Sequence, residues 1–559
     1  MQPNSLHYVD YLVFLVYFVI VAGYGFYIYN RKKKSTTDTK DFFLAEGSLT
    51  WWAIGASLIA SNISAEQFIG MSGNGFNIGL AISTYEWMAA ATLIVVAVFF
   101  LPIYLKNKIY TMPQFLERRY NQTVSTIMAV FWLLLYVIVN LTSILYLGAL
   151  AITTISGINF YVCMIMLAAF AIIITLGGMK VIGYTDVIQV FFLILGGLAT
   201  TYLALELVSS HFGTNGVLKG FKLMTEHASD HFHMILHKEN PKYLDLPGLS
   251  VLIGGMWIVN LNYWGCNQYI TQRALGADLK TARNGLLFAG FLKLLMPIIV
   301  VLPGIAAYVL YQEGMFQQAM LKDGALNADN AYPVLLNLLP TGLKGLAFAA
   351  LTAAVVASLA GKANSISTIF SLDIYKKIYN KEADEKKVVG VGRTVVIVTM
   401  IIAIVISNFL GIDKKGGFQF IQEYTGFVSP GVFAMFIMGF FWKRTTSNAA
   451  LFAMIGGLLL SFLFKFMPAW VDLQPLHAVG LSALNPDSHL YEMPFIDRMG
   501  FVFLICVMGM VIITLADPKS ANNPKGLAID GAMFKPSLGF TVGALLICGV
   551  LMALYTVFW

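Results

Sequence analysis

Six side chains fall where an apolar chain should carry none. Asn62, Gln67, Glu86, Asn260, Lys293 and Gln422 all sit inside or beside long apolar stretches. Charged and strongly polar groups at membrane depth are costly and normally face a cavity or a partner. Together the six offer amide donors and acceptors, a carboxylate that accepts and an ammonium that donates. That mixture suits a ring of neutral hydroxyls, whereas an anion calls for arginine or a helix N-terminus. Tyr85, Tyr263, Trp264 and Phe418 lie beside these anchors, and their rings suit the apolar face of a sugar. Taken singly, each polar residue has a plainer reading as glue between helices, and Lys293 as a lysine snorkelling to an interface.

The elements that must position these residues are membrane helices. The chain has 559 residues, of which 58% are hydrophobic and 12% charged. Soluble domains carry roughly 25% charged residues, so a soluble enzyme is excluded, as is a disordered chain. A span needs about 20 apolar residues, and about fourteen such stretches can be counted. They lie near 9–29, 48–72, 79–104, 123–155, 159–178, 181–208, 249–270, 284–311, 341–372, 388–411, 418–442, 447–468, 496–515 and 536–558. The first is too long for a signal peptide and is followed by Arg31, Lys32, Lys33 and Lys34, which predicts a retained helix with its N-terminus outside. Of the 36 Lys and Arg, nine fall in loops assigned outside, Lys414 and Lys415 among them, and three (Lys293, Lys362, Lys465) fall within spans. The remaining 24 lie in loops assigned to the cytoplasm. This bias fits the positive-inside rule and puts both termini outside a plasma membrane, the inner membrane in a Gram-negative cell.

Net charge is +7, with no basic-aromatic patch for nucleic acid, and no obligate protein partner is evident. Cys163, Cys266, Cys506 and Cys548 read as reduced packing residues. The intramembrane residues include no His-rich metal set and no nucleophile with a base, so an enzyme is not expected. The 209–248 segment carries four of the eight histidines, His211, His227, His231 and His233, and reads as a solvated outside loop rather than a metal site.

Span two is interrupted by Ser61, Asn62, Ser64, Glu66 and Gln67, and span seven by the Asn260–Gly265 stretch. They open two five-helix blocks, and an odd number of helices per block forces opposite topology. Paired broken helices in inverted blocks point to a secondary transporter. The spacing divides the chain into residues 1–47 (first helix and basic loop), 48–208 (first repeat), 209–248 (outside loop), 249–442 (second repeat) and 443–559 (three further helices).

At Trp51–Ala60, Asn62–Gly73, Tyr85–Met88, Thr185–Gln189, Asn260–Gly265 and Phe418–Gly426 the chain resembles the solute:sodium symporter family. Within it, it resembles the bacterial sodium/galactose (sodium/glucose-type) symporters. The likeness runs from about Tyr11 to Trp442 and more weakly to the C-terminus. It implies an all-α, leucine-transporter-type five-plus-five inverted repeat, with one helix before it and three after, and sodium-driven sugar uptake by alternating access. Sugar contacts are implied at Asn62, Gln67, Glu86, Asn260, Lys293 and Gln422. A ring-stacking gate is implied at Tyr263, with Trp264, Tyr85, Met71 and Phe418 lining the pocket. Sodium ligands are implied at the carbonyls of Ala60 and Ile63 and at Ala354, Ala357 and Ser358, in keeping with the oxygen preference of a hard cation. Asp186 matches a carboxylate near the sodium exit.

Three positions depart from that pattern. Ala89 replaces a sugar-contacting serine, Ala357 the first of two sodium-site serines, and Lys362 an apolar residue. Lys362 lies four residues after Ser358, and its side chain tilts back toward it, so an inner latch with Asp186 is one reading and snorkelling the other. The expected partners are a neutral sugar, sodium and the lipid bilayer, with no cofactor beyond the coupling ion. Another polyol such as inositol, weak or absent sodium dependence, and a sugar sensor are the alternatives.

Overall fold

The computed structural model describes residues 6–31, 42–43, 49–322, 324–407, 409, 417–527 and 529–559. Lys32, Lys33, Lys34, Lys414 and Lys415, which carry part of the charge argument, lie outside them. Among the described residues ten helices are long and apolar enough to cross a membrane. Two shorter apolar helices are Phe160–Leu176 and Ser429–Phe441. The chain divides into two compact units. One comprises Met1–Ser83, Leu133–His233 and Asn284–Ile421; the other comprises Thr84–Trp132, Met234–Arg283 and Gln422–Trp559.

In the first unit the Leu343–Thr368 helix is central, packing against Gly178–His211, Phe160–Leu176, Trp51–Asn62 and Tyr8–Arg31. Its sequence is rich in Ala, Gly and Ser, the small residues that let membrane helices approach closely. Asp10 caps its start: Oδ1 accepts the backbone N–H of Gly342 at 2.7 Å and of Gly345 at 2.9 Å. These are donors that a helix N-terminus leaves unpaired, and the positive dipole end favours the carboxylate.

The segment after Gly178–His211 is folded as well as solvated: His211, His227 and His233 are exposed. It forms the helix Val217–His227, and His231 is buried. The His231 ring stacks on Tyr308 at 3.9 Å, with Nε2 3.0 Å from the Phe76 carbonyl. An imidazole with a ring to stack on and a carbonyl to bond is better placed there than in water. Among the described residues no group of three His, Cys, Asp or Glu side chains is arranged to hold a metal.

In the second unit Ser429–Phe441, Phe495–Ala516, Gly255–Cys266 and Thr84–Val95 pack together. Arg119, fully buried, finishes the Ser429–Phe441 helix. Its guanidinium donates to the carbonyls of Gly439 and Trp442 at 2.8 Å and of Thr445 at 3.0 Å, the favourable place for a cation at a helix C-terminus. All four cysteines are free. Cys163, Cys266 and Cys506 are buried as expected, but Cys548 is exposed on Leu538–Val557, a helix with an apolar face open to lipid.

Candidate functional site

The first unit holds an interrupted helix. Trp51–Asn62 is α-helical, Ile63 is extended (φ −83°, ψ 117°), and the chain resumes as a π-helix over Glu66–Met71 and an α-helix over Ser72–Asn77. The break falls where the sequence predicts it, among Ser and Asn side chains that compete for backbone groups. Those groups find partners. Gln67 Oε1 accepts the Ser64 N–H at 2.9 Å and the Ser64 hydroxyl at 3.3 Å, and Ser64 Oγ accepts the Glu66 N–H at 3.2 Å. The Ser61 carbonyl accepts from Ser358 Oγ at 3.1 Å.

Around this break the structure collects several predicted residues. Lys293, 1% exposed, donates from Nζ to Asn62 Oδ1. It is therefore a buried donor at the break and does not snorkel. Met71 and Phe418 are buried. Phe418 lies against Gly70, where a Cβ would come within 2.8 Å of the Phe418 Cβ, so the missing side chain lets the two segments meet.

The cation candidates share the same region. Ala354, Ala357 and Ser358 are buried on one face of the Leu343–Thr368 helix, which reaches the break through the Ser358–Ser61 bond. One turn further on, Lys362 Nζ donates to Ser358 Oγ at 3.2 Å. Asp186 is buried, and its Oδ2 accepts from Ser57 Oγ, one turn before Ser61. Asp186 and Lys362 therefore address the first helix at successive turns, through Ser57 and through Ser358.

The second unit holds the other predicted residues, and here the expectation of an interruption within Asn260–Gly265 is corrected. Gly255–Cys266 is one continuous helix. The extended residue is Asn267 (φ −88°, ψ 130°), and Gln268–Leu275 follows. Polar side chains do not unwind a helix when they have other partners. Asn260 Nδ2 donates to the Met256 carbonyl at 3.2 Å, and Asn262 Nδ2 to Ser429 Oγ at 3.1 Å. The true break is held by distant residues. Tyr104 Oη donates to the Gly265 carbonyl at 2.7 Å, and Gln268 Oε1 accepts the Met112 N–H at 2.7 Å. Tyr263 meets Trp264 edge-on, ring centroids 5.1 Å apart. Tyr85, Glu86, Asn260 and Trp264 are buried, while Tyr263 and Gln422 are half-buried.

Two groups went unassigned in the sequence reading. Glu66, 8% exposed, has an Oε1 with no hydrogen-bond partner among the described residues, and the Lys362 charge acts on it. Its place within the polar interruption was the available signal. Glu423 accepts from Lys465 Nζ at 2.6 Å and from Arg498 Nη2 at 3.0 Å. No sequence spacing links those three.

A bundle of membrane helices with an interrupted helix and buried polar groups at its break is the architecture of a membrane transporter. The profile of the sodium:solute symporter family matches residues 42–457, and the chain belongs to that family. It is a multi-pass transport protein of the plasma membrane, not an enzyme. It is 46% identical to a sodium/glucose cotransporter of Vibrio parahaemolyticus, over all of this chain and 99% of that one. It is 33% identical to the human sodium/myo-inositol cotransporter 2, over 83% of this chain and 71% of the other. The fold matches that of a Na+-coupled sialic acid symporter solved in a substrate-bound outward-open state, with a TM-score of 0.76 and 22% identity, covering 91% of this chain and 98% of that one.

Proposed function

We propose that this protein is a sodium-coupled symporter that imports a neutral monosaccharide of the galactose/glucose type by alternating access. The observation that carries the reading is the break at Ile63. There, unwound backbone offers carbonyls to a cation while Asn62 and Lys293 offer a donor–acceptor pair to hydroxyls. The full-length likeness to the Vibrio parahaemolyticus sodium/glucose cotransporter supports it. The sugar contacts are Asn62, Gln67, Glu86, Asn260, Lys293 and Gln422, with Tyr263 as the stacking gate and Tyr85, Trp264, Met71 and Phe418 as lining. Sodium is held by Ala60, Ile63, Ala354, Ala357 and Ser358, and Asp186 lies on its exit.

The finer architecture belongs to the same proposal. Ten long helices, two shorter ones and the two interrupted segments make fourteen spans with both termini outside. Residues 48–208 and 249–442 are the inverted repeats, between the leading 1–47 and the trailing 443–559, with 209–248 as the outside segment. A second reading, inositol as substrate, is favoured by the likeness to the myo-inositol cotransporter, whereas Ala89 weakens galactose in particular. The test is uptake by proteoliposomes under an inward sodium gradient, against choline, over a panel of hexoses and inositols. Sodium-dependent hexose accumulation supports the leading reading. Inositol accumulation alone selects the second, and equal uptake in both media rejects sodium coupling.

A further inference from the structure

We infer that Lys362 carries a tethered cation into the sodium-ligand set, so that sodium and the Lys362 ammonium exclude one another at Ser358, and that Glu66 receives the ammonium when sodium is bound. The inference deepens the sodium reading and rests on its placement of the ion at Ser358.

The ammonium is where a competitor must be. Lys362 is 2% exposed on a helix buried along nearly its whole length, and its Nζ lies 3.2 Å from Ser358 Oγ. The Ser358 hydroxyl has one proton, which it donates to the Ser61 carbonyl at 3.1 Å. What it offers the ammonium is a lone pair, and a lone pair is also what it would offer sodium. Two unit charges on one hydroxyl oxygen in a low-dielectric interior repel strongly. Ala357, the residue before Ser358, offers no hydroxyl as an alternative ligand.

A displaced ammonium needs a counter-charge within reach of its flexible stem. Glu66 supplies one. It is buried at the restart of the broken helix, its Oε1 has no hydrogen-bond partner among the described residues, and it already feels the Lys362 charge. Ser61 Oγ is likewise buried with no hydrogen-bond partner among the described residues, which leaves a further oxygen for sodium once the ammonium has moved. Exchange of the two cations at Ser358 then couples sodium arrival to a shift of the Leu343–Thr368 side chains toward Glu66.

The experiment uses the full chain: binding of radioactive sodium by the purified protein, and sodium-dependent sugar uptake in proteoliposomes. Lys362→Met, with Lys362→Gln as a second neutral variant, should lower the sodium concentration for half-maximal binding at least about tenfold. Sugar half-saturation at saturating sodium should not move. Lys362→Arg keeps the competing charge and should not improve sodium binding. Glu66→Gln should raise the sodium requirement several-fold in the parent and have no such effect with Lys362→Met, a non-additivity that a double-mutant cycle reads directly. Unchanged sodium binding in both neutral Lys362 variants, or an equal Glu66→Gln effect in both backgrounds, overturns the inference. The two readings fail separately. A sodium-dependent parent with unaltered neutral variants removes the tethered cation alone. A parent indifferent to sodium whose neutral Lys362 variants bind it removes sodium coupling of the parent and keeps the tethered cation.

Discussion

The Trp51–Asn77 segment and the Gly255–Leu275 segment are both interrupted helices, yet they are interrupted by different means. The first breaks at Ile63, amid its own polar side chains, and Ser64 and Gln67 bond the loose backbone locally. The second runs as helix through Asn260, Asn262 and Gly265 and breaks at Asn267, where Tyr104 donates to the Gly265 carbonyl and the Gln268 side chain accepts the Met112 N–H, both partners over 150 residues away in sequence. The first break also gathers Lys293, Ser358 and Lys362 around it. Freed backbone in an apolar medium must be bonded. The first segment does this with groups that also suit a ligand, the second with groups that serve the fold.

The largest expected effect separates these roles. Lys293→Ala removes the buried donor to Asn62 at the first break. Loss of a hydrogen bond to a charged group costs about 1.5–3 kcal/mol, so sugar half-saturation should rise roughly ten- to hundred-fold. Uptake measured against sugar concentration at saturating sodium checks this. A change confined to stability would make the first break as structural as the second.

Tyr104→Phe is the matching test on the second segment. It leaves the buried Gly265 carbonyl without the donor seen 2.7 Å away, at a cost of about 1–3 kcal/mol. The loss should appear as a lower Tm of the purified protein, with sugar and sodium half-saturation unchanged. A shift in sugar affinity equal to that of Lys293→Ala would erase the distinction between the two breaks.

The same contrast explains what was legible in the sequence. The first break could be read because its cause is local: Ser61, Asn62 and Ser64 are adjacent and compete with the helix in place. The second could not, because Asn260 and Asn262 are equally polar but bonded within an intact helix, and the residues that hold the real break arrive from elsewhere in the chain. Lys362 was legible as a neighbour of Ser358 by helical spacing. Glu66 as its counter-charge was not, since that depends on how the restarted helix packs. His231 looked solvated because nothing near it in sequence reveals Tyr308 beneath its ring.

The smallest effect is the finest division, within one helix. Asn260 and Asn262 are two residues apart, so they point in different directions around the Gly255–Cys266 helix. Asn262 bonds Ser429, a protein partner on another helix of its unit. Among the described residues Asn260 bonds only its own helix, at the Met256 carbonyl, a geometry that spends one amide proton and leaves the amide oxygen to accept from a sugar hydroxyl. Asn260→Ala should therefore remove a neutral hydrogen bond to substrate, worth about 0.5–1.5 kcal/mol, and raise sugar half-saturation roughly two- to ten-fold with little change in Tm. Asn262→Ala should lower Tm and leave sugar half-saturation alone. Sugar titrations and thermal unfolding of the two variants side by side give four readings. The reverse pairing would place the sugar-facing side of this helix on the Asn262 face, and the substrate set would have to be rebuilt around it.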